Sequence, residues 1–216
     1  MTQAVIGTPE QAYVRDALFG VELLDPVTLE RVSRGVKVVA VGLQGRPIVN
    51  AGGLFVWLRE DLANLQKITI DPLLLPYLPV ELTPADLPTA LTTVELPPRI
   101  DYPFTAGVTG SRGVLIEEQF GPPVPVADAR VRLQWLDENN VWRDAPTVSR
   151  TNADGGFATI LRFSPTEVPL LDADGLLTVR LHVRRDTTSE RSSADWKQKQ
   201  GRIRDALTFA WDELQP

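Results

Sequence analysis

The chain has no cysteine. Disulfide staples, thiolate nucleophiles and zinc–thiolate centres are therefore excluded. Histidine is almost as scarce: His182 stands alone, so no pair of imidazoles can build a common zinc site. Long apolar runs are missing as well. Pro, Asp or Lys interrupts every apolar cluster, and no stretch approaches the ~20 residues that a membrane-spanning helix needs. The first nine residues lack a basic region followed by an apolar run, so a secretory signal is not expected. The chain is expected to be made in the cytoplasm, with incorporation into a virion or injection particle open to it. Positive charge is in deficit, with 22 Lys and Arg against 28 Asp and Glu, a net charge of -6 and a pI near 4.9. That balance argues against a general nucleic-acid binder.

What is present suits a packed β protein. The 216 residues are 43% hydrophobic, enough for one large domain or two small ones. Short alternating or wholly apolar runs are punctuated by 18 prolines and 15 glycines. Strands are expected at residues 17–24, 36–41, 54–58, 66–71 and 90–96. A second set is expected at 107–116, 129–136, 157–163 and 176–183, and residues 206–211 read as a last strand or a short terminal helix, with Phe209 and Trp211 on one face favouring strand. The clearest alternation sets Ala129, Val131, Leu133 and Trp135 on one face and Arg130, Arg132 and Gln134 on the other, a half-buried strand of an antiparallel sheet. The expected fold is all-β: two tandem antiparallel Greek-key-type β-sandwiches, with an N-terminal arm and a proline-rich connecting stretch. The boundaries fall at 1–16 for the arm, 17–98 for the first sandwich and 99–216 for the second.

Two stretches resist simple strand assignment. Residues 8–16 suit one or two helical turns, with Thr8 as N-cap and Pro9 at the first position, or an extended docking arm. Residues 72–103 hold eight prolines and many apolar side chains. Proline cannot donate to a β-ladder, so this stretch is edge strand, polyproline II or loop. Its leucines need cover, from its own domain or from a neighbouring chain.

The two halves repeat an order of elements. Gly20-Val21-Glu22-Leu23 matches Gly113-Val114-Leu115-Ile116. Gly35-Val36-Lys37-Val38 matches Asp128-Ala129-Arg130-Val131. Asn50-Ala51-Gly52-Gly53-Leu54-Phe55 matches Asn152-Ala153-Asp154-Gly155-Gly156-Phe157, and Ile68-Thr69-Ile70 matches Leu177-Thr178-Val179. At residues 107–116, 127–133 and 151–157 the second half resembles the carboxypeptidase regulatory-like, or transthyretin-like, β-sandwich family. The likeness covers residues 104–183 and, in fewer features, 17–70. Asp128-Ala129 stands where the family pattern has Gly-Ala. The resemblance implies a sandwich fold and an accessory or adhesive module, and it carries no catalytic residue over to this chain.

Candidate chemistry is thin. His182 lies inside a strand pattern and is expected to be structural or superficial. Ser111 lacks the spacing of a nucleophile elbow. Glu117 and Glu118 are adjacent, so a strand would point them to opposite faces. Asp172-Ala173-Asp174-Gly175 and Asn152-Ala153-Asp154-Gly155 each supply half a calcium loop without its downstream glutamate, so turn chemistry explains them better. No cofactor is expected. Residues 180–204 are basic around Trp196, either an acidic-partner surface or a solvated loop. The candidate partner contacts are Tyr13, Leu74, Tyr77, Leu78, Arg184, Arg185, Trp196 and Lys197. The expected function is a non-enzymatic structural or adaptor subunit with other protein subunits as partners; a phage tail or contractile injection particle offers such a setting. The alternative is a carbohydrate- or ligand-binding β-sandwich module, which for a glycan predicts exposed, co-planar tryptophans such as Trp135 and Trp142. The weakest alternative is an enzyme built on His182 or a carboxylate pair.

Overall fold

Period-two burial governs the chain, because each strand must turn one face to a core. The computed structural model describes residues 17–58, 62–87, 91–118, 120, 122–186 and 189–216. The expected arm, with Tyr13, lies outside the described residues. The first unit contains β1 (Ala17–Leu24), β2 (Lys37–Val41), β3 (Ile48–Val49), β4 (Phe55–Leu58), β5 (Lys67–Asp71), β6 (Val80–Leu82) and β7 (Leu91–Glu95). The second contains β8 (Thr109–Ile116), β9 (Arg130–Leu136), β10 (Trp142–Asp144), β11 (Ser149–Arg150), β12 (Gly156–Leu161), β13 (Leu176–Arg184), β14 (Glu190–Ser192), β15 (Trp196–Lys199) and β16 (Ile203–Ala210). The chain is an all-β sandwich protein, as its sequence pattern implies.

Each unit packs one sheet on another. In the first, the order β3-β4-β1-β7 faces β2-β5-β6. Phe19, Val21, Leu23, Phe55, Trp57 and Val94 meet Val38, Ala40, Ile68, Ile70 and Leu82 in one core. In the second, β12-β8-β16 faces a larger sheet in which β9 and β13 are central. Leu115, Phe157 and Leu161 meet Val131, Leu133, Trp135, Leu177, Val179, Leu181 and Val183 there.

The repeat is visible in the strand pairing. β1 pairs antiparallel with β4 and parallel with β7. β8 does the same with β12 and β16. β2 pairs with β5 as β9 pairs with β13. The matched positions Gly35 and Asp128 share a left-handed backbone, with φ of 70° and 57°. Two details differ from expectation. The sheets are mixed, because the last strand of each unit runs parallel to the first. Glu190–Ser192 and Trp196–Lys199, within the basic stretch, are strand and not loop: β14 and β15 both pair with β13 and form one interrupted edge strand.

The proline-rich stretch wraps its own unit. Tyr77 and Leu82 enter the first core, with Leu75 and Val80 packed against it. The amide of Leu78 donates to Pro97 O (2.8 Å), and that of Arg99 to Pro76 O (3.0 Å). Tyr102 and Phe104 belong to the first core too, although the sequence boundary assigns them to the second unit.

Candidate functional site

The outer face of the β9–β13 sheet carries a cluster of positive charge. Alternation sends Arg130, Arg132 and Gln134 of β9 outward with Arg180, His182 and Arg184 of β13, while the residues between them are buried. Register then builds rows across the strands. Arg180 faces Gln134, His182 faces Arg132, Arg184 faces Arg130, and Arg150 of β11 also faces Arg130. The middle rows are knitted together. Asp144 accepts from Arg132 Nη1 (2.6 Å) and Gln134 Nε2 (2.7 Å), and Arg180 Nε donates to Gln134 Oε1 (2.7 Å). The Arg180 guanidinium lies 4.1 Å from the Trp142 ring centroid, a cation–π contact. His182 Nδ1 is 3.3 Å from Ser192 Oγ. Burial first, then the nearby Arg132, hold the His182 pKa below its ordinary value, so this side chain is neutral at pH 7.

The candidate contacts separate into distinct places. Arg184 and Arg185 share a recess of about 310 Å³ with Asp128, Arg130, Arg150 and Asp186. Arg185 is not free there: it grips both carboxylate oxygens of Glu117 at 2.7 Å and lies 5.2 Å from the Trp211 ring centroid. Trp196 is half-buried and packs against the second core, its ring centroid 5.8 Å from that of Phe209. Lys197 is exposed and pairs with Asp172 Oδ2 at 3.0 Å. Leu74 is 98% exposed, beside the exposed Leu73, and Leu78 is half-buried. Tyr77 is 8% exposed and its hydroxyl donates to Asp25 Oδ2 at 2.7 Å. It is therefore a core residue, because its ring fills the first core and its hydroxyl has a buried acceptor.

Sequence reading passed over Asp25, which looked like an ordinary turn residue before Pro26. Asp25 Oδ1 accepts from the amides of Val27 (2.8 Å) and Thr28 (2.7 Å), and Oδ2 from the hydroxyls of Tyr77 and Tyr102 (2.6 Å). Only the Asp-Pro-x-Thr spacing hinted at a side chain folding back on its own turn. The two tyrosines lie too far along the chain to be foreseen.

The Oδ1 atoms of the two turn side chains, Asp172 and Asn152, are occupied by backbone. Asp172 Oδ1 accepts from the amides of Asp174 (3.0 Å) and Leu176 (2.9 Å), and Asn152 Oδ1 from those of Asp154 (2.9 Å) and Gly156 (2.7 Å). The Leu176 amide foremost, then Lys197, hold the Asp172 carboxyl below its usual pKa. Among the described residues no group of three or more His, Asp and Glu is placed to hold a metal ion. Ser111 is buried with its hydroxyl 2.8 Å from Thr159 Oγ1. The exposed tryptophan pair required by the carbohydrate reading is not formed. Trp135 is 1% exposed, its ring edge-on to Phe163, while Trp142 lies on the opposite face beneath Arg180.

A second concavity separates the units. A groove of about 870 Å³ runs between the outer face of β2-β5-β6, at Lys37, Val39, Thr69 and Glu81, and Asp128, Arg150 and Asn152 of the second unit.

No protein-family model matches the chain, and neither does any curated protein. Several solved structures resemble it at low similarity. A 9R-lipoxygenase from Cyanothece PCC8801 is 16% identical over 48% of this chain and 16% of its own, with a TM-score of 0.29. The Bacillus anthracis TIE protein is 12% identical over 89% of this chain and 33% of its own, with a TM-score of 0.28. A Streptococcal ancillary pilin is 12% identical over 88% of this chain and 60% of its own, with a TM-score of 0.27. The chain thus spans between 16% and 60% of the lengths of these three proteins.

Proposed function

We propose that this protein is a non-enzymatic structural or adaptor subunit of a larger protein assembly. The observation that carries the reading is the tip of the proline-rich wrap. Its flanks are pinned by Tyr77 and by the pairing of residues 76–78 with 97–99. Between β5 and that anchor it presents Leu73 and Leu74, 54% and 98% exposed. Leu73 also holds a left-handed backbone with φ of 51°, a conformation that costs a β-carbon residue about 1–2 kcal/mol. A leucine held outward at that cost is a ready interface anchor, whose burial against a partner yields about 1.5–3 kcal/mol. The setting we propose is a phage tail or a phage-derived contractile injection particle, where the chain would join other subunits after synthesis in the cytoplasm.

Light scattering across a concentration series, together with capture of large complexes from the source cell, tests the reading. Concentration-dependent association that Leu74→Asp abolishes while leaving the fold intact is expected. A well-folded monomer at high concentration that captures no assembly would overturn it.

A further inference from the structure

One row on the β9–β13 face breaks the pattern of the others. Arg150, Arg130 and Arg184 stand directly opposite one another on β11, β9 and β13. Neighbouring strands lie about 4.8 Å apart, so three guanidiniums are rooted within about 10 Å. Like charges directly opposite destabilise a sheet. In the adjacent rows Asp144 pairs with Arg132, and Gln134 accepts from Arg180. Here Arg184 has a long contact with Glu190 at 3.6 Å, and Asp86 of the first unit interacts electrostatically with Arg130, but neither Arg130 nor Arg150 takes part in a salt bridge among the described residues. The three border the 310 Å³ recess. Asp128 and Arg150 border both this recess and the 870 Å³ groove, so the two concavities adjoin.

We propose that the Arg150–Arg130–Arg184 row is a docking site for an acidic segment of a partner protein, which continues from the recess into the groove between the units. The proposal rests on the assembly reading above and names the chemistry of the partner. Guanidinium forks match carboxylates in bidentate geometry. Beyond Arg150 the groove presents the exposed Val39 beside Lys37, with Asp71, Glu81 and Asp128 also on its walls, so the acidic side chains of the segment belong at the arginine row and its apolar ones against Val39. Nucleic acid fits poorly on three counts. The net charge is -6, Asp128 and Asp186 interrupt the basic surface, and among the described residues no aromatic side chain borders either concavity for base stacking.

The test is a fluorescence-anisotropy titration of the full chain with a labelled peptide alternating Glu and Val, beside a single-stranded oligonucleotide. The peptide is expected to bind, with affinity falling as salt rises. The Arg130→Gln, Arg150→Gln double variant should weaken binding at least tenfold, and Arg46→Gln should leave it unchanged. The double variant should also unfold at the same or a higher temperature, because removing like charges relieves repulsion. Indifference to the peptide, undiminished binding by the double variant, a lowered unfolding temperature or tighter binding of the oligonucleotide through the same arginines each overturns the proposal. A chain that captures its assembly yet ignores the peptide sinks the docking site alone. One that binds the peptide through these arginines, yet stays monomeric and captures nothing, sinks the assembly reading alone.

Discussion

Asp25 ties the proline-rich wrap to the first sandwich. It is 8% exposed, and a buried carboxylate survives only when its oxygens are hydrogen-bonded. Burial opposes its ionisation, but the hydrogen bonds from Tyr102, the Thr28 amide, Tyr77 and the Val27 amide together prevail, and its pKa lies below the ordinary value. Burial foremost, then Asp25 itself, push the Tyr77 and Tyr102 hydroxyls upward, so both remain donors at neutral pH. A carboxyl depressed on folding stabilises the native state above its unfolded pKa of about 3.9 and loses that contribution as pH falls through the folded value. Wild-type unfolding free energy should therefore drop steeply below about pH 4, and Asp25→Asn should flatten that drop. Equal pH slopes in urea titrations of the two proteins would contradict this. Tyr77→Phe removes one hydrogen bond to a charged group and should cost about 1.5–3 kcal/mol at neutral pH.

At the scale of elements, one hairpin design recurs. Asn50, Asp137, Asn152 and Asp172 each accept, through the backbone carbonyl, from the amide three residues on, and each donates to the carbonyl four residues on. The third residue beyond each is left-handed: Gly53, Asn140, Gly155 and Gly175, with φ of 82°, 59°, 73° and 70°. Asn140 shows that Asn is accepted at this position, and Asn tolerates that conformation better than other residues with a β-carbon. The glycines should nevertheless differ. A β-carbon at Gly175 meets nothing within 4 Å, whereas at Gly155 it would sit 2.3 Å from Leu115 O. Thermal melts should find Gly175→Asn within about 1 kcal/mol of wild type and Gly155→Asn severely destabilised. Equal losses would show that backbone conformation alone matters. These hairpins were legible from sequence because their signals are local, and the repeat followed from them. Residues 190–199 were not legible as strand: Glu190, Arg191, Ser192, Lys197 and Lys199 resemble loop composition, and only pairing with the apolar β13 orders them. The arginine row was half legible. Outward-facing Arg130 followed from alternation, but its alignment with Arg150 and Arg184 is set by register between strands distant in sequence.

At the scale of the molecule, two cores are joined through a polar seam laid on an apolar one. Ala158 and Ile160, on the face of β12 turned away from the second core, are 0% and 1% exposed. The linking residues cover this side. Ile100 reaches Gly156, and Arg112 donates to Tyr102 O while its guanidinium lies 4.8 Å from the Phe104 ring centroid. Beside this patch Glu95, at the end of β7, accepts from Arg162 Nη2 at 2.6 Å and from Thr147 Oγ1 at 3.0 Å. The paired side chains are 22% and 29% exposed for Arg162 and Glu95, so water screens the pair only partly. Losing Glu95 leaves a half-buried guanidinium without its counter-ion, a change worth about 2 kcal/mol. Each unit has its own core, so a seam weakened by that amount should let them melt separately. Calorimetry is expected to show one cooperative transition for wild type and two, or one broadened, for Glu95→Ala. Adding Arg162→Met should restore part of the loss, since it replaces the orphaned charge with an apolar side chain of similar length. If Glu95→Ala melts in a single unbroadened transition, the apolar contacts of Ile100, Tyr102 and Phe104 hold the units together without the ion pair, and the rigidity of the groove beside the arginine row comes from them alone.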